Sequence, residues 1–185
     1  GKFFLAMLTA SAYSLLTLFS TKNLDFKLIT NSGDANLPIF NTPLSIVSFC
    51  LVAPLVLLGT YVYFQMEMCL LWEELARLPA IFPDGRRVDQ RVYPWFPTAL
   101  AQWFSLQRGI EKGRIASSLL IWVQRLLIVT LAWGVTPFVI SGFWLAYIKK
   151  RDWSGTMYLE ALLALCVAWG VQTFSRAIAL LKSKK

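Results

Sequence analysis

Residues 44–64 read LSIVSFCLVAPLVLLGTYVYF, an apolar stretch that contains no charged side chain. A helix of about 20 apolar residues crosses the roughly 30 Å hydrocarbon core of a bilayer. Thr42 and Pro43 come directly before this stretch. The pair is typical of a helix cap followed by a proline in the first helical turn. The stretch therefore predicts a membrane-spanning helix, which Pro54 should kink.

Three further apolar stretches predict spans at residues 3–19, 126–148 and 157–181. The first lacks a convincing small-residue cleavage site, so we expect a retained helix instead of a signal peptide. Pro137 lies inside the third stretch. Hydrophobic residues make up 57% of the chain, against about 45–50% in soluble domains. The sequence thus predicts an all-α integral membrane protein with four transmembrane helices and a single membrane domain over residues 1–185.

The basic residues are distributed unevenly between the two predicted sides of the membrane. Four spans put both termini and the loop between spans two and three on one side. That side carries Lys2, Arg77, Arg86, Arg87, Arg91, Arg108, Lys112, Arg114, Arg176, Lys182, Lys184 and Lys185. The other side carries Lys22, Lys27, Lys149, Lys150 and Arg151, and Arg125 falls at a boundary. Because short cytoplasmic loops are enriched in Lys and Arg, both termini are predicted to be cytoplasmic.

Two connections carry patterns of their own. The predicted cytoplasmic loop, residues 73–118, begins with the end of WEELARL, which should extend the second helix. It also holds TALAQWFSLQRGI at residues 98–110, which fits an interfacial helix or a helix packed on its own domain. On the other side, LDFKLI (24–29) and LPIF (37–40) flank a turn signal and are predicted to pair as a short extracytoplasmic hairpin.

Few polar side chains fall near the ends of the predicted spans. Glu67 and Arg125 have similar predicted depths, so we expect a structural ion pair or two snorkelling side chains. The alternative, a proton or ion path, would also place charges there. Gln124 and Gln172 are candidates for hydrogen bonds between helices.

The sequence excludes several kinds of chemistry. With no histidine, it has no His-ligated haem, chlorophyll or zinc and no Ser-His-Asp triad. Cys50, Cys69 and Cys166 lack metal-ligand spacing and are expected to be small buried hydrophobes. No phosphate-binding loop or nucleophile elbow occurs. We therefore predict a protein that is not an enzyme and ligates no cofactor.

The basic loop is the main candidate for contact with other molecules. Beside a membrane, arginines interleaved with aromatic residues favour lipid over nucleic acid. The residues predicted to contact bound lipid or a partner protein are Arg86, Arg87, Arg91, Trp95, Trp103 and Arg108.

Two segments carry a family resemblance. They are LPIFNTPLSIVSFCLVAPLVLL (37–58) and LPAIFPDGRRVDQRVYPWF (78–96). The pattern resembles the N-terminal membrane domain of bacterial pentapeptide-repeat proteins, in which an LPA–FPDGR–YPW loop follows a span with an Ala-Pro pair. The resemblance covers about residues 5–150 and implies a cytoplasmic 2–3 loop and a location in the bacterial inner membrane or one derived from it. This sequence departs from the family because it contains no pentapeptide repeat, so it either lacks that part or works alone.

Together these observations predict a non-catalytic membrane anchor or scaffold, an accessory transmembrane subunit of a larger complex. Its expected partners are membrane lipids and other membrane protein subunits. The first alternative is a pore-forming or membrane-disrupting effector controlled by a sensor domain, although no span carries the polar stripe typical of a channel. The second is a transporter or lipid-handling enzyme, which needs a buried acid or base at mid-membrane.

Overall fold

A computed structural model describes residues 2–21, 24–30, 34–36, 43–77, 122–123 and 126–182 of the chain. In chain order the elements are α1 (Lys2–Ser20), α2 (Leu24–Thr30), β1 (Asp34–Asn36), β2 (Pro43–Ser45), α3 (Ile46–Arg77), α4 (Val135–Ile148) and α5 (Trp153–Lys182). A π-helical turn, Thr130–Gly134, directly precedes α4.

Within the described residues, four helices are long and apolar enough to cross a membrane. They occupy Lys2–Ser20, Ile46–Glu74, Leu126–Ile148 and Trp153–Ala179. The number and helical nature of the predicted spans are therefore confirmed. As predicted from WEELARL, the second helix continues past the apolar stretch, and it ends at Arg77. The fourth begins at Trp153, four residues before the predicted start at Met157.

The predicted hairpin was wrong in its first strand, and its second strand, residues 37–40, lies outside the described residues. Residues 24–30 form α2, because Leu24 and Leu28 also have the spacing of a helix face, and Leu28 is fully buried. The strands that pair are β1 and β2, antiparallel, with Asp34 opposite Ser45. Pro43 is the first residue of β2, where a missing N–H is tolerated, and not the first turn of α3.

The chain forms two compact units. The first unit comprises Gly1–Phe64 and Trp133–Gly170, and the second comprises Gln65–Ala132 and Val171–Lys185.

Ring contacts in the first unit fix the directions of α1 and α3. Near the start of α1, the ring of Phe3 lies 4.5 Å from that of Tyr63 in α3, in an edge-to-face arrangement. Near the end of α1, Leu18 belongs to the core cluster that holds Phe49 and Cys50, at the start of α3. The two helices are therefore antiparallel.

Contacts with neighbouring helices also fix the directions of α4 and α5. Phe49 of α3 contacts Phe143 near the end of α4, with ring centroids 5.6 Å apart, so α3 and α4 are antiparallel. The turn at residues 149–152 then reverses the chain into α5, where Gly155 meets Tyr147 of α4. Successive long helices of this unit consequently alternate in direction, and α1 and α4, which pack together, are parallel.

Pro54 lies inside α3 without ending it. Proline has no N–H, so a helix carbonyl one turn earlier loses its usual donor. In that turn the hydroxyl of Tyr158, from α5, donates to the carbonyl of Leu51 at 3.4 Å. A side chain of another helix thus supplies a donor close to the break.

The close approach of α5 to α4 depends on Gly155. A Cβ at this position would overlap the ring of Tyr147, which is fully buried and cannot move aside. Gly59 in α3 offers the opposite case, because nothing lies within 4 Å of the corresponding position.

We expect Gly155→Ala to lower the free energy of unfolding by roughly 1–3 kcal/mol, the usual cost of overpacking. Gly59→Ala, as the matched control, should be neutral or stabilising by up to about 1 kcal/mol, because alanine favours the helix. Unfolding by SDS in mixed micelles, followed by circular dichroism, measures both. Equal unfolding midpoints for Gly155→Ala and the wild type would contradict the contact.

Candidate functional site

The junction between the π-helical turn and α4 leaves backbone carbonyls without helical donors. A π turn inserts one extra residue, which takes one carbonyl out of the regular pattern. Pro137 follows three residues after the turn and lacks an N–H, so it removes a second donor. Donors for this stretch therefore have to come from elsewhere.

Gln65 supplies one of them. Its side chain is fully buried in the second unit, and Nε2 donates to the carbonyl oxygen of Ala132 at 2.9 Å. Its Oε1 accepts a hydrogen bond of 3.3 Å from the hydroxyl of Thr173 in α5. One amide thereby bonds the π turn on one side and α5 on the other.

The side chains and the carbonyl that meet at Gln65 are all uncharged. Amide and hydroxyl groups carry no charge at physiological pH, so they can be buried at low cost when their hydrogen bonds are made. Each bond ties α3 to another helix at a defined height. We conclude that Gln65, Ala132 and Thr173 form a structural polar site that sets the register of three helices within the second unit.

A second polar cluster lies at the turn between α4 and α5. Tyr147 donates its hydroxyl hydrogen to Asp152 Oδ2 at 3.0 Å. Lys150 Nζ lies 4.0 Å from the same carboxylate oxygen and 5.3 Å from the centre of the Tyr147 ring. Arg151 adopts a left-handed conformation with φ of 55°, which closes the turn. The backbone carbonyl of Asp152 accepts the first hydrogen bond of α5, from the N–H of Thr156.

The predicted site residues fall mostly outside the described residues. This holds for Arg86, Arg87, Arg91, Trp95, Trp103, Arg108 and Arg125. Glu67 is described, and its side chain is exposed on α3. The Glu67–Arg125 ion pair and the contacts of the basic loop therefore stay predictions. The predicted interfacial helix at residues 98–110 also lies outside the described residues.

Among the described residues, the side chain of Gln65 bonds between helices, and the sequence had not indicated this residue. Gln172 is exposed, whereas its neighbour Thr173 is buried, and Gln124 lies outside the described residues. Gln65 was missed because the predicted span ended at Phe64, which put residue 65 at the water interface. The buried face of α3 in fact continues through Met68 to Trp72. The available signal was a lone amide within TYVYFQMEMCLLW.

The three cysteines are free thiols, and Cys50 and Cys166 are fully buried, while Cys69 is partly buried. This agrees with their expected role as small hydrophobic side chains. In the part of the chain that the structure describes, no group of three or more His, Cys, Asp or Glu side chains could hold a metal ion.

Comparisons with known proteins found no matching family model, no matching curated protein and no matching solved structure.

Loss of the amide should destabilise the fold. We expect Gln65→Leu to lower the free energy of unfolding by roughly 1–2 kcal/mol, because a buried carbonyl and a buried hydroxyl lose their partner. Gln172→Leu, the same change at an exposed site of α5, should have little effect. A double-mutant cycle with Thr173→Val then measures the coupling directly. Equal stabilities for the two glutamine variants would contradict this role of Gln65.

Proposed function

We propose that the chain is a four-span integral membrane protein of the bacterial inner membrane, or of a membrane derived from it, with both termini in the cytoplasm. In that membrane it is a non-catalytic anchor or scaffold, an accessory transmembrane subunit of a larger complex. Lipids and other membrane protein subunits are its partners.

The observation that carries the proposal is the small share of each apolar helix that the chain covers itself. Only between 22% and 33% of the residues in the four apolar stretches are buried within the molecule. Phe19 is 84% exposed and Trp153 is 81% exposed, and large apolar side chains are exposed on each of the four helices. Soluble proteins rarely expose apolar patches beyond a few hundred Å², so this surface favours contact with lipid and with other proteins.

The accessory role is supported by what the exposed surface offers. Phe138 and Leu145 on α4, and Leu165 on α5, present aromatic and branched side chains suited to helix packing. The polar site at Gln65 has both its oxygen and nitrogen engaged in holding this chain's own helices. The sequence resemblance to a membrane module that is joined to other domains fits a role in association.

The alternating directions of the long helices in the first unit support a topology with both termini on one side. Combined with the excess of basic residues on that side, the cytoplasm is the favoured location. The basic 73–118 loop would then be available to anionic lipid and to soluble parts of a partner.

The topology is tested by cysteine labelling in intact cells. In a chain whose three native cysteines are replaced by alanine, Arg151→Cys should react with a membrane-impermeant maleimide applied from outside. Asp89→Cys, in the basic loop, should react only after the membrane is permeabilised. Val139→Cys, in the core, serves as the control that reacts under neither condition. Labelling of Asp89→Cys in intact cells would overturn the proposed orientation.

The accessory role is tested by extraction of the natural membrane with a mild detergent. We expect the chain to migrate on a native gel in constant proportion with a larger complex, whose subunits mass spectrometry then identifies. A membrane protein of similar size and unrelated sequence, tagged in the same way, controls for carry-over. Migration as a free monomer or as a homo-oligomer would overturn the accessory role, and for a homo-oligomer a conductance measurement in planar bilayers tests the pore.

A further inference from the structure

Two buried hydroxyl groups of the first unit, one on α1 and one on α4, make no hydrogen bond to the described residues. Ser11 is 0% exposed and Thr136 is 1% exposed, and neither hydroxyl oxygen has a hydrogen-bond partner among the residues that the structure describes. Natural proteins leave few buried polar groups unpaired, because each one loses its hydrogen bonds to water on folding.

The usual local solution is not used at either position. Buried hydroxyls in helices commonly donate to a carbonyl one turn earlier, as Ser14 does to Ala10 at 2.8 Å in α1. For Thr136 the carbonyl four residues earlier is that of Ala132, which lies in the π-helical turn and accepts the amide of Gln65.

The two hydroxyls share one level of the interface. The buried residues of α1 include Met7, Ser11, Ser14 and Leu18, and those of α4 are spaced in the same way at Thr136, Ile140, Phe143 and Tyr147. The helices are parallel, and a methyl group at Gly142 would lie 3.9 Å from Leu18 Cδ1. Leu18 is thus level with residues 142–143, and seven residues earlier Ser11 is level with Thr136.

We propose that this level of the first unit is a binding site for one water molecule, which bridges the hydroxyls of Ser11 and Thr136. A water molecule offers two donors and two acceptors, and each hydroxyl can donate and accept, so one bridge satisfies both side chains. Both hydroxyl groups are uncharged, which matches a neutral ligand such as water. Leu57 of α3 is buried in the hydrophobic core cluster of the same unit.

The bridge has a defined consequence for the helix pair. It links α1 to α4 by hydrogen bonds between side chains of the two helices. Hydrogen bonds across helices fix their rotation and height, which dispersion contacts alone define less sharply.

The site is tested by substitutions that remove a hydroxyl group but keep the shape of the side chain. The sign of the resulting change in stability decides the outcome. If water bridges the two groups, Thr136→Val and Ser11→Ala should each raise the unfolding equilibrium constant about threefold to tenfold, and the double variant should be far from additive. Thr136→Ser, which keeps the hydroxyl, should retain the coupling to Ser11. Ser14→Ala, on the same face of α1, is the control with little effect. A Thr136→Val variant more stable than the wild type would overturn the proposal.

Nuclear magnetic resonance separates a water bridge from a direct bond between the hydroxyls. In the wild type, magnetisation should transfer from a long-lived internal water to the methyl group of Thr136, and this transfer should disappear in Ser11→Ala. Coupling between the two side chains without any transfer from water would show a direct hydrogen bond and would overturn the water site.

Discussion

A helix in apolar surroundings must satisfy its backbone carbonyls from within the protein, because no water is there to replace a missing donor. This constraint explains the most specific contacts of the structure. Pro54 interrupts α3, and Tyr158 donates to Leu51 nearby. The π-helical turn directly precedes α4, Pro137 lies in the first turn of α4, and Gln65 donates to Ala132 of the π turn. In both cases a polar side chain of another helix donates to a carbonyl within one turn of the irregularity, and this hydrogen bond joins two helices.

The number and type of the long helices were predictable because they follow from local composition. Residues 44–64 and 126–148 contain enough apolar side chains to require burial in lipid or protein, whatever they contact. The extension of α3 to Arg77 was also readable, because WEELARL continues the helical pattern. The start of α3 could not be predicted, because Pro43 suits both the first turn of a helix and the first residue of a strand. The pairing of Pro43 with Asn36 decides for the strand.

The polar site could be predicted only in part. The sequence indicated that glutamine could form hydrogen bonds between helices, but the residues named were Gln124 and Gln172, and Gln65 was not considered. Which glutamine forms these bonds depends on the face of α3 that is buried beyond Phe64 and on the π turn at Thr130–Gly134. Both are consequences of tertiary packing. Pro137 was recognised as a break, yet a proline near the start of a helix does not reveal whether the preceding turn widens. The unpaired hydroxyls of Ser11 and Thr136 were invisible for the same reason, since helix register decides which serines and threonines face inward.

The short turn between α4 and α5 bears on how such a chain would enter a membrane. Only residues 149–152 separate the two helices, so neither can be transferred into lipid alone without leaving the other at the water interface. The pair would insert as one helical hairpin, carrying Lys149, Lys150 and Arg151 across the hydrocarbon core. Transferring a lysine to the centre of a bilayer costs about 2.5–3.5 kcal/mol. The carboxylate of Asp152 and the Tyr147 ring lie against Lys150, whose side chain is only 12% exposed. In a hairpin that entered a membrane in this folded form, these contacts would offset part of that cost for Lys150.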